Sequence, residues 1–285
     1  MKSGSSYRVG LIGSGIQASR TPSMHEQEAA AHGLRCDYRL IDLDQRQLSV
    51  DALPDLLKEA EAEGFTGLNI TYPCKQKVMG LLHELSDDAR AIGAVNTVVY
   101  SAGKRAGYNT DWSGFAASFR RDLADVEKDR VNQLGAGGAG AAVAHAMLTL
   151  GAGALAIFDL DSARAQRLAH ELCRRFGEER ATAVTDLHAA VPASDGLIHA
   201  TPTGMLQYPG LPLPPALLRP GLWVAEIVYF PLETELLRVA RERGCRTMNG
   251  SGMAVFQAAE AFRLFTGISP DVERMQRHFD SMGTN

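Results

Sequence analysis

Several polar side chains stand directly after short apolar runs, where strands are predicted to end. The stretch GLNITYPCKQ (67–76) places Asn69, Thr71 and Lys75 at the end of one such run, with Lys77 just beyond. Ligands of open α/β sheets bind beyond the carboxyl ends of the strands, so we expect these side chains to converge on a small-molecule site. Taken singly, each residue is also a common turn former, helix cap or surface side chain, and Lys77 is assigned to the surface. The other members of this set are Ser19, Thr21, Asn96 and Asp111.

The elements that must position these residues alternate between strand and helix along the chain. Short apolar runs separated by helical periodicity predict an α/β protein with parallel sheets and crossover helices. The Pro- and Gly-rich stretch 201–215 is predicted to be a loop. Predicted strands are 7–12, 36–40, 67–70, 94–100, 131–134, 155–158, 181–184, 197–199 and 223–228, and predicted helices are 22–32, 50–63, 138–150, 162–176, 234–243, 252–265 and 270–282.

Length and composition restrict the class of protein. A chain of 285 residues with 45% hydrophobic and 22% charged residues predicts a globular protein of two domains. The net charge of -4 and the absence of a Lys/Arg cluster argue against a nucleic-acid partner. No apolar run reaches the length of a membrane span, and we expect a cytoplasmic protein without a membrane partner. Four scattered cysteines and no His/Asp/Glu cluster predict neither disulfides nor a metal site.

The stretch LGAGGAG carries the strongest cofactor signal. Gly135, Gly137 and Gly140 have G-x-G-x-x-G spacing between a predicted strand and a predicted helix. That context is typical of dinucleotide binding, with the pyrophosphate at the helix N-terminus. Asp159 ends the next predicted strand, where a ribose-binding carboxylate belongs; it favours NAD because a carboxylate repels the 2′-phosphate of NADP. Arg164 could neutralise such a phosphate, pair with a neighbouring aspartate, or simply be solvated.

Eight motifs in sequence order resemble those of the shikimate dehydrogenase family, which includes quinate/shikimate dehydrogenases. The resemblance runs from about residue 8 to 270 and is far more specific than the glycine pattern alone. The motifs are SRTPSMH (19–25), GLNITYPCKQ (67–76), GAVNTVV (93–99), YNTDWSGF (108–115), LGAGGAG (134–140), ATPTGM (200–205), VYFPLETELL (228–237) and GMAVFQAAEAFRLFTG (252–267).

The resemblance implies a role for each matching residue. Lys75 and Asp111 would be the catalytic dyad, with Lys75 transferring the proton of the substrate's C3 oxygen. A lysine serves this chemistry either as an amine that exchanges the proton or as an ammonium that stabilises the alkoxide, and both roles stay open. The implied substrate-binding residues are Ser19, Thr21, Thr71, Asn96, Asp111, Tyr229 and Gln257. The implied dinucleotide-binding residues are Gly135, Ala136, Gly137, Gly138, Ala139, Gly140, Asp159, Arg164, Thr201, Met205 and Gly252.

The chain departs from the family pattern at several positions. Thr21 stands where a serine is common, which mildly favours quinate as a substrate beside shikimate. Asp159, Leu160 and Asp161 occupy the place of a basic clasp for NADP, which again favours NAD. His199 and Glu226 stand where asparagine and aspartate are common. The His199 imidazole, at a strand end beside the cofactor, could alter the affinity for it, but a packed strand histidine is the simpler interpretation.

The predicted protein is thus a two-domain α/β enzyme. Residues 1–111, completed by helices in 251–285, would form the substrate-binding catalytic domain, and residues 112–250 a Rossmann-like NAD-binding domain. Its expected reaction is reversible oxidation of the C3 hydroxyl of shikimate or quinate with NAD, NADP being the less favoured cofactor. Its expected partners are this small acid and either no second subunit or one identical copy. A dehydrogenase of an amino analogue, one acting on another small molecule, and a non-catalytic NAD-sensing module remain alternatives.

Overall fold

The computed structural model describes residues 6–283, which divide into two compact units. The first comprises residues 6–110 together with Val255–Gly283, and the second is Asp111–Ala254. Both contain a sheet flanked by helices, so the α/β fold class is confirmed. No helix within residues 6–283 is long and apolar enough to cross a membrane.

The first unit is built on a six-stranded sheet in the order β2-β1-β3-β5-β6-β4. β1, β2 and β3 are parallel, whereas β5 runs antiparallel to both β3 and β6. The expectation of a parallel sheet with crossover helices is therefore wrong for β5 and β6, because the turn at 102–103 joins them as a hairpin rather than through a helix. The elements are β1 (Ser6–Gly13), α1 (Thr21–Ala31), β2 (Arg35–Asp42), α2 (Leu53–Ala62), β3 (Gly67–Ile70), β4 (Glu84–Leu85), α3 (Asp87–Ile92), β5 (Thr97–Ser101) and β6 (Lys104–Tyr108).

Two C-terminal helices complete this unit. α9 (Ser251–Thr266) begins in the second unit and continues into the first, and α10 (Val272–Ser281) follows. Phe265 of α9 lies against β3 at Gly67, where a Cβ would overlap its ring. A glycine in this central strand thus lets the helix pack closely on the sheet. The two predicted tail helices are confirmed.

The second unit is built on a fully parallel sheet in the order β12-β11-β10-β7-β8-β9. Counted from the first of these strands, the order is that of a Rossmann fold, with its switch point between β7 and β10. The elements are α4 (Asp111–Asp122), β7 (Arg130–Leu134), α5 (Gly138–Thr149), β8 (Ala154–Phe158), α6 (Ser162–Phe176), β9 (Ala181–Ala183), α7 (Leu187–Ala190), β10 (Gly196–His199), β11 (Trp223–Glu226), α8 (Glu235–Glu242) and β12 (Arg246–Met248).

Helices α5 and α6 show how the sequence shapes this unit. Every residue of α5 from Gly140 to Leu148 is buried, which suits a helix of mostly small, apolar side chains. In α6, only the stripe Ala165, Leu168, Ala169 and Leu172 is buried, and the Asp161 carboxylate caps the first turn. Each helix begins a few residues after the carboxyl end of the strand that precedes it, where a ligand site is expected.

Candidate active site

In the first unit, Lys75 lies in a loop whose backbone is held by hydrogen bonds on both sides. The N–H of Thr71 donates to Ile12 O (2.9 Å), and the Lys75 carbonyl accepts from the Val95 N–H (2.9 Å). Between them, Cys74 is fully buried in the core, and burial raises the pKa of its thiol to about 11. The side chain stays a neutral apolar anchor, while Lys75 beside it is half-buried. The loop therefore presents Lys75 from a fixed backbone.

The neighbouring Lys77 lies in a different environment. Its ammonium is exposed and pairs with Asp51 at the surface. Lys75 is thus half-buried in the loop after β3, whereas Lys77 is solvated.

Asn69 and Asn96 belong to a buried polar network at the ends of β3 and β5. Asn69 accepts a hydrogen bond from the Tyr38 hydroxyl (2.8 Å) and donates to Thr97 Oγ1 (3.3 Å). The Oδ1 atom of Asn96 accepts from Thr97 Oγ1 (3.1 Å) and from the Thr110 N–H (2.7 Å). The network therefore fixes Thr110, the residue directly before Asp111 in the chain.

Ser19 and Thr21 flank an arginine that the sequence reasoning passed over. The Thr21 N–H donates to Ser19 Oγ (3.3 Å), which closes a turn at the start of α1. Arg20 is buried, lies over the Phe279 ring at 4.9 Å, and donates to the carbonyls of Phe279 and Gly283. α10 therefore anchors the Ser-Arg-Thr segment. The only signal in the sequence was the position of this arginine inside the motif.

Loops of the first unit are brought together through β1. The N–H of Ser14 donates to Tyr72 O (2.9 Å), so the loop after β1 adjoins the loop that carries Thr71 and Lys75. The Asp42 carboxylate orders the loop after β1 by accepting from the N–H groups of Gly15 and Ile16, both at 3.1 Å. Gln257 is half-buried in α9 of the same unit.

In the second unit, the glycine loop joins β7 to α5 with the geometry of a phosphate-binding turn. Gly135 has φ of 101°, and a Cβ there would overlap the carbonyl oxygen of Ala200. A Cβ at Gly140 would overlap the carbonyl of Gly135, whereas a Cβ at Gly137 would point into open space. Gly137 is the N-cap of α5 and has no side chain to accept the first N–H groups of the helix. These residues fit a pyrophosphate, which needs close backbone approach and free N–H donors.

Two side chains brace this loop from the neighbouring strands. The buried Gln133 amide donates to the carbonyls of Gly135 (2.8 Å) and Gly140 (2.9 Å), a brace that the sequence analysis missed. Asp159 accepts from the Ala136 N–H (2.8 Å) and the Asp161 N–H (2.9 Å). Its carboxylate therefore lies at the end of β8 beside the glycine loop, as a ribose-binding group requires.

Arg164 faces Asp161 rather than Asp159. Its exposed guanidinium lies 3.9 Å from the Asp161 carboxylate. Leu160, between the two aspartates, is 97% exposed.

The remaining predicted residues of this unit lie on two irregular segments and one helix. Thr201 and Met205 are half-buried in the loop after β10, and Tyr229 is 38% exposed after β11. Gly252 lies in the first turn of α9, where a Cβ would overlap Ser118 of α4. In the described part of the chain, no group of three or more His, Cys, Asp or Glu side chains could hold a metal ion.

Comparison with known proteins gives matches over nearly the whole chain. Residues 11–98 match the shikimate dehydrogenase substrate binding domain, and residues 250–278 match the shikimate 5'-dehydrogenase C-terminal domain. The chain is 58% identical to a shikimate dehydrogenase (NADP(+)) of Streptomyces avermitilis, covering 95% of this chain and 94% of that one. It is 46% identical to a quinate/shikimate dehydrogenase (NAD(+)) of Corynebacterium efficiens, covering 97% and 99%.

A solved structure agrees with these sequence matches. Quinate dehydrogenase from Corynebacterium glutamicum, determined in complex with NAD, aligns with a TM-score of 0.92 at 46% identity, covering 97% of this chain and 99% of that one. The family resemblance and the two-domain fold with a Rossmann-like unit are thereby confirmed. The chain belongs to the shikimate dehydrogenase family and is an oxidoreductase of the shikimate/quinate dehydrogenase class that uses a nicotinamide dinucleotide.

Proposed function

We propose that this protein catalyses the reversible NAD-dependent oxidation of the C3 hydroxyl of shikimate, quinate or both. The observation that carries the proposal is the half-buried Lys75 in the loop after β3, held by backbone hydrogen bonds on both sides and by the buried Cys74. A proton-transfer residue needs such a fixed position, because small displacements cost much of the rate. The family relatives named above support the substrate class.

Lys75 and Asp111 are assigned to the proton transfer. In the oxidation direction C3 loses a hydride, for which the bound dinucleotide would be the acceptor, its oxygen forms a carbonyl, and the hydroxyl proton passes to the Lys75 amine. In the reverse direction the Lys75 ammonium returns that proton. Asp111, at the start of α4, orients the reacting hydroxyl as a hydrogen-bond acceptor.

The other predicted residues hold the acid in place. Ser19 and Thr21 are assigned to the substrate carboxylate, because their hydroxyl groups lie on a turn that Arg20 fixes to α10. Thr71, Asn96 and Gln257 are assigned to the ring hydroxyls, and Tyr229 to the carboxylate end. Residues 1–111, completed by the C-terminal helices in 251–285, are the proposed substrate domain.

Residues 112–250 form the proposed dinucleotide domain. The open space at Gly137 and the uncapped first turn of α5 suit a pyrophosphate. Gly135 to Gly140, Thr201, Met205 and Gly252 are assigned to this cofactor, which supplies the hydride acceptor when bound. Asp159 supports NAD, since a carboxylate at this place can accept hydrogen bonds from the ribose hydroxyls and would repel a 2′-phosphate. Arg164, which could neutralise such a phosphate, lies beside Asp161 instead.

Initial rates of NADH and NADPH formation test this proposal. Purified protein is assayed with shikimate and with quinate, each with NAD and with NADP. We expect turnover with at least one acid and a higher kcat/KM with NAD. Binding of NADH without turnover of either acid would favour the sensing module and contradict the enzymatic proposal.

The matched lysines test the proton-transfer role. Lys75→Ala should lower kcat by a factor on the order of 10² to 10⁴, the usual contribution of general acid–base catalysis. Lys77→Ala removes an exposed ammonium two residues away and should keep kcat within about twofold, because solvated surface pairs contribute little. Equal effects of the two substitutions on kcat would remove Lys75 from its role.

A further inference from the structure

A fully buried histidine–carboxylate pair joins the ends of β10 and β11. His199 and Glu226 are paired in the parallel register and are both 0% exposed. The Nδ1 atom of His199 lies 2.9 Å from each oxygen of the Glu226 carboxylate. Neither side chain is accessible to a ligand, so the pair can act on the reaction only through the residues it holds.

Glu226 holds the segment after β11 at both of its ends. Its Oε1 atom accepts from the Val228 N–H (2.9 Å), and its Oε2 atom accepts from the Thr234 hydroxyl (3.1 Å). Thr234 is also the N-cap of α8, where its hydroxyl accepts from the Leu237 N–H (3.3 Å). The irregular residues between Val228 and Thr234, which include Tyr229, are therefore tied to one carboxylate.

His199 holds the start of the loop after β10. Its Nε2 atom lies 2.5 Å from Thr201 Oγ1, which also accepts from the Thr203 N–H (3.3 Å). The backbone beside Thr201 adjoins the glycine loop, because a Cβ at Gly135 would overlap the Ala200 carbonyl and lie 3.0 Å from the Thr201 side chain. The imidazole thus connects the carboxylate of Glu226 to the loop that lies against Gly135.

A stabilising role alone does not account for this arrangement. Replacing both partners of a buried hydrogen bond by apolar groups of the same shape can be nearly neutral or even stabilising, so such a pair is a poor way to gain stability. An apolar pair could not accept hydrogen bonds from the Val228 N–H and the Thr234 hydroxyl, and it could not make a directional contact with Thr201. These directional contacts therefore fix the geometry of the loop after β10 and of the segment after β11.

We propose that His199 and Glu226 are positioning residues for dinucleotide binding, with His199 acting through the hydroxyl of Thr201. The pair sets the position of the loop after β10, relative to the glycine loop, and ties it to the segment after β11. This inference rests on the proposed function in assigning Thr201 and Met205 to the cofactor.

Two replacements of the imidazole separate its two contacts. In His199→Asn the amide nitrogen takes the place of Nδ1 and keeps the bond to Glu226, but the contact to the Thr201 hydroxyl is lost. In His199→Gln the amide nitrogen takes the place of Nε2 and keeps the contact to Thr201. We expect His199→Asn to raise the Kd of NADH about tenfold, the effect of one lost hydrogen bond at a buried group, and His199→Gln to stay within about threefold of the unsubstituted protein.

A double-mutant cycle with Thr201→Val tests whether His199 acts through this hydroxyl. Thr201→Val alone should raise the Kd of NADH about tenfold, and adding His199→Asn should raise it little further, because both substitutions remove the same contact. If His199→Asn does not fold, the double variant His199→Phe/Glu226→Gln replaces it in the cycle with the same expectation, because it also removes the contact to Thr201 and leaves no buried carboxylate facing an apolar ring. Additive effects in the cycle, or equal Kd values for the Asn and Gln variants, would overturn the proposal.

The Kd of NADH is measured by the fluorescence of the bound nucleotide without any acid present. The inference can therefore fail while the enzyme turns over, and it can hold while neither acid is a substrate.

His145→Asn is the matched control, since His145 is a buried histidine of the same unit that lies on α5 against Trp112 and Phe176. It should leave the Kd within about twofold. With the dehydrogenase substrates, His199→Asn should raise the KM of the dinucleotide while kcat changes by less than about threefold, a split that general destabilisation would not produce.

Discussion

Neutralising Asp159 should shift the cofactor preference toward NADP. The Asp159 carboxylate is half-buried at the end of β8 and lies beside the glycine loop through its hydrogen bond to the Ala136 N–H (2.8 Å). A 2′-phosphate on the adenosine ribose would lie next to this carboxylate if the ribose binds where the fold predicts. Asp159→Asn keeps the size of the side chain and removes its charge.

The magnitude follows from the environment of the carboxylate. Two unit charges about 5 Å apart repel by about 0.8 kcal/mol in water and about 3.3 kcal/mol near a protein surface. A half-buried carboxylate lies between these limits, so about 2 kcal/mol is removed, which corresponds to about 30-fold in the ratio of kcat/KM for NADP to that for NAD. The repulsion in the unsubstituted protein should also weaken as ionic strength rises.

Initial rates with both dinucleotides at a saturating acid concentration provide the assay. Asp161→Asn is the control, because it removes a second carboxylate two residues away while asparagine remains a good N-cap for α6. We expect this control to change the ratio by less than about threefold, since its carboxylate is exposed and screened. An Asp159→Asn ratio within threefold of the unsubstituted protein, or an equal shift in both variants, would refute the reasoning.

Two further predictions concern the glycine loop and the acid stability of the first unit. Gly137→Ala should keep the unfolding temperature but raise the KM of the dinucleotide, because its Cβ enters open space that the pyrophosphate needs; Gly140→Ala should lower the unfolding temperature itself, because its Cβ overlaps the Gly135 carbonyl. Burial lowers the pKa of His25 to about 3, so the unfolded chain binds a proton that the folded one does not, and stability falls as pH drops below the ordinary value of about 6.5. Urea titrations should show a loss of about 2 kcal/mol from about pH 6 to about pH 4 that His25→Leu removes; the same loss in His25→Leu would argue against this cause.

The second unit was predictable because its signals are local. Strand, glycine turn, helix and strand follow one another between residues 131 and 158, so hydrophobic period and glycine spacing were enough to predict β7, α5 and β8. The predicted loop at 201–215 also holds, apart from a short 3-10 helix that begins at Pro215. Right-handed crossovers then leave few ways to order a parallel sheet.

The first unit was predictable only in part because its sheet is mixed. The hairpin of β5 and β6 was missed, since KRAGY (104–108) has no apolar alternation and pairs through its backbone with a strand that was already recognised. α4 was missed as well, because the motif YNTDWSGF drew attention to Asp111 as a site residue rather than as the start of a helix. In both cases pairing and packing outweighed the local pattern.

The sequence by itself determined the family, the α/β class and the candidate residues, because motif order and glycine spacing are linear properties. Only the tertiary structure showed which buried side chains support the loops that carry the candidate residues. Arg20 packs on the ring of Phe279 in α10, near the other end of the chain. Gln133 donates hydrogen bonds to two carbonyls of the glycine loop, and His199 contacts Glu226, which is 27 residues away in the sequence. Such contacts depend on strand register and helix packing, which bring together residues whose separation along the chain carries no signal. Without knowledge of these contacts, Arg20, Gln133, His199 and Glu226 would have been assigned to ordinary buried positions.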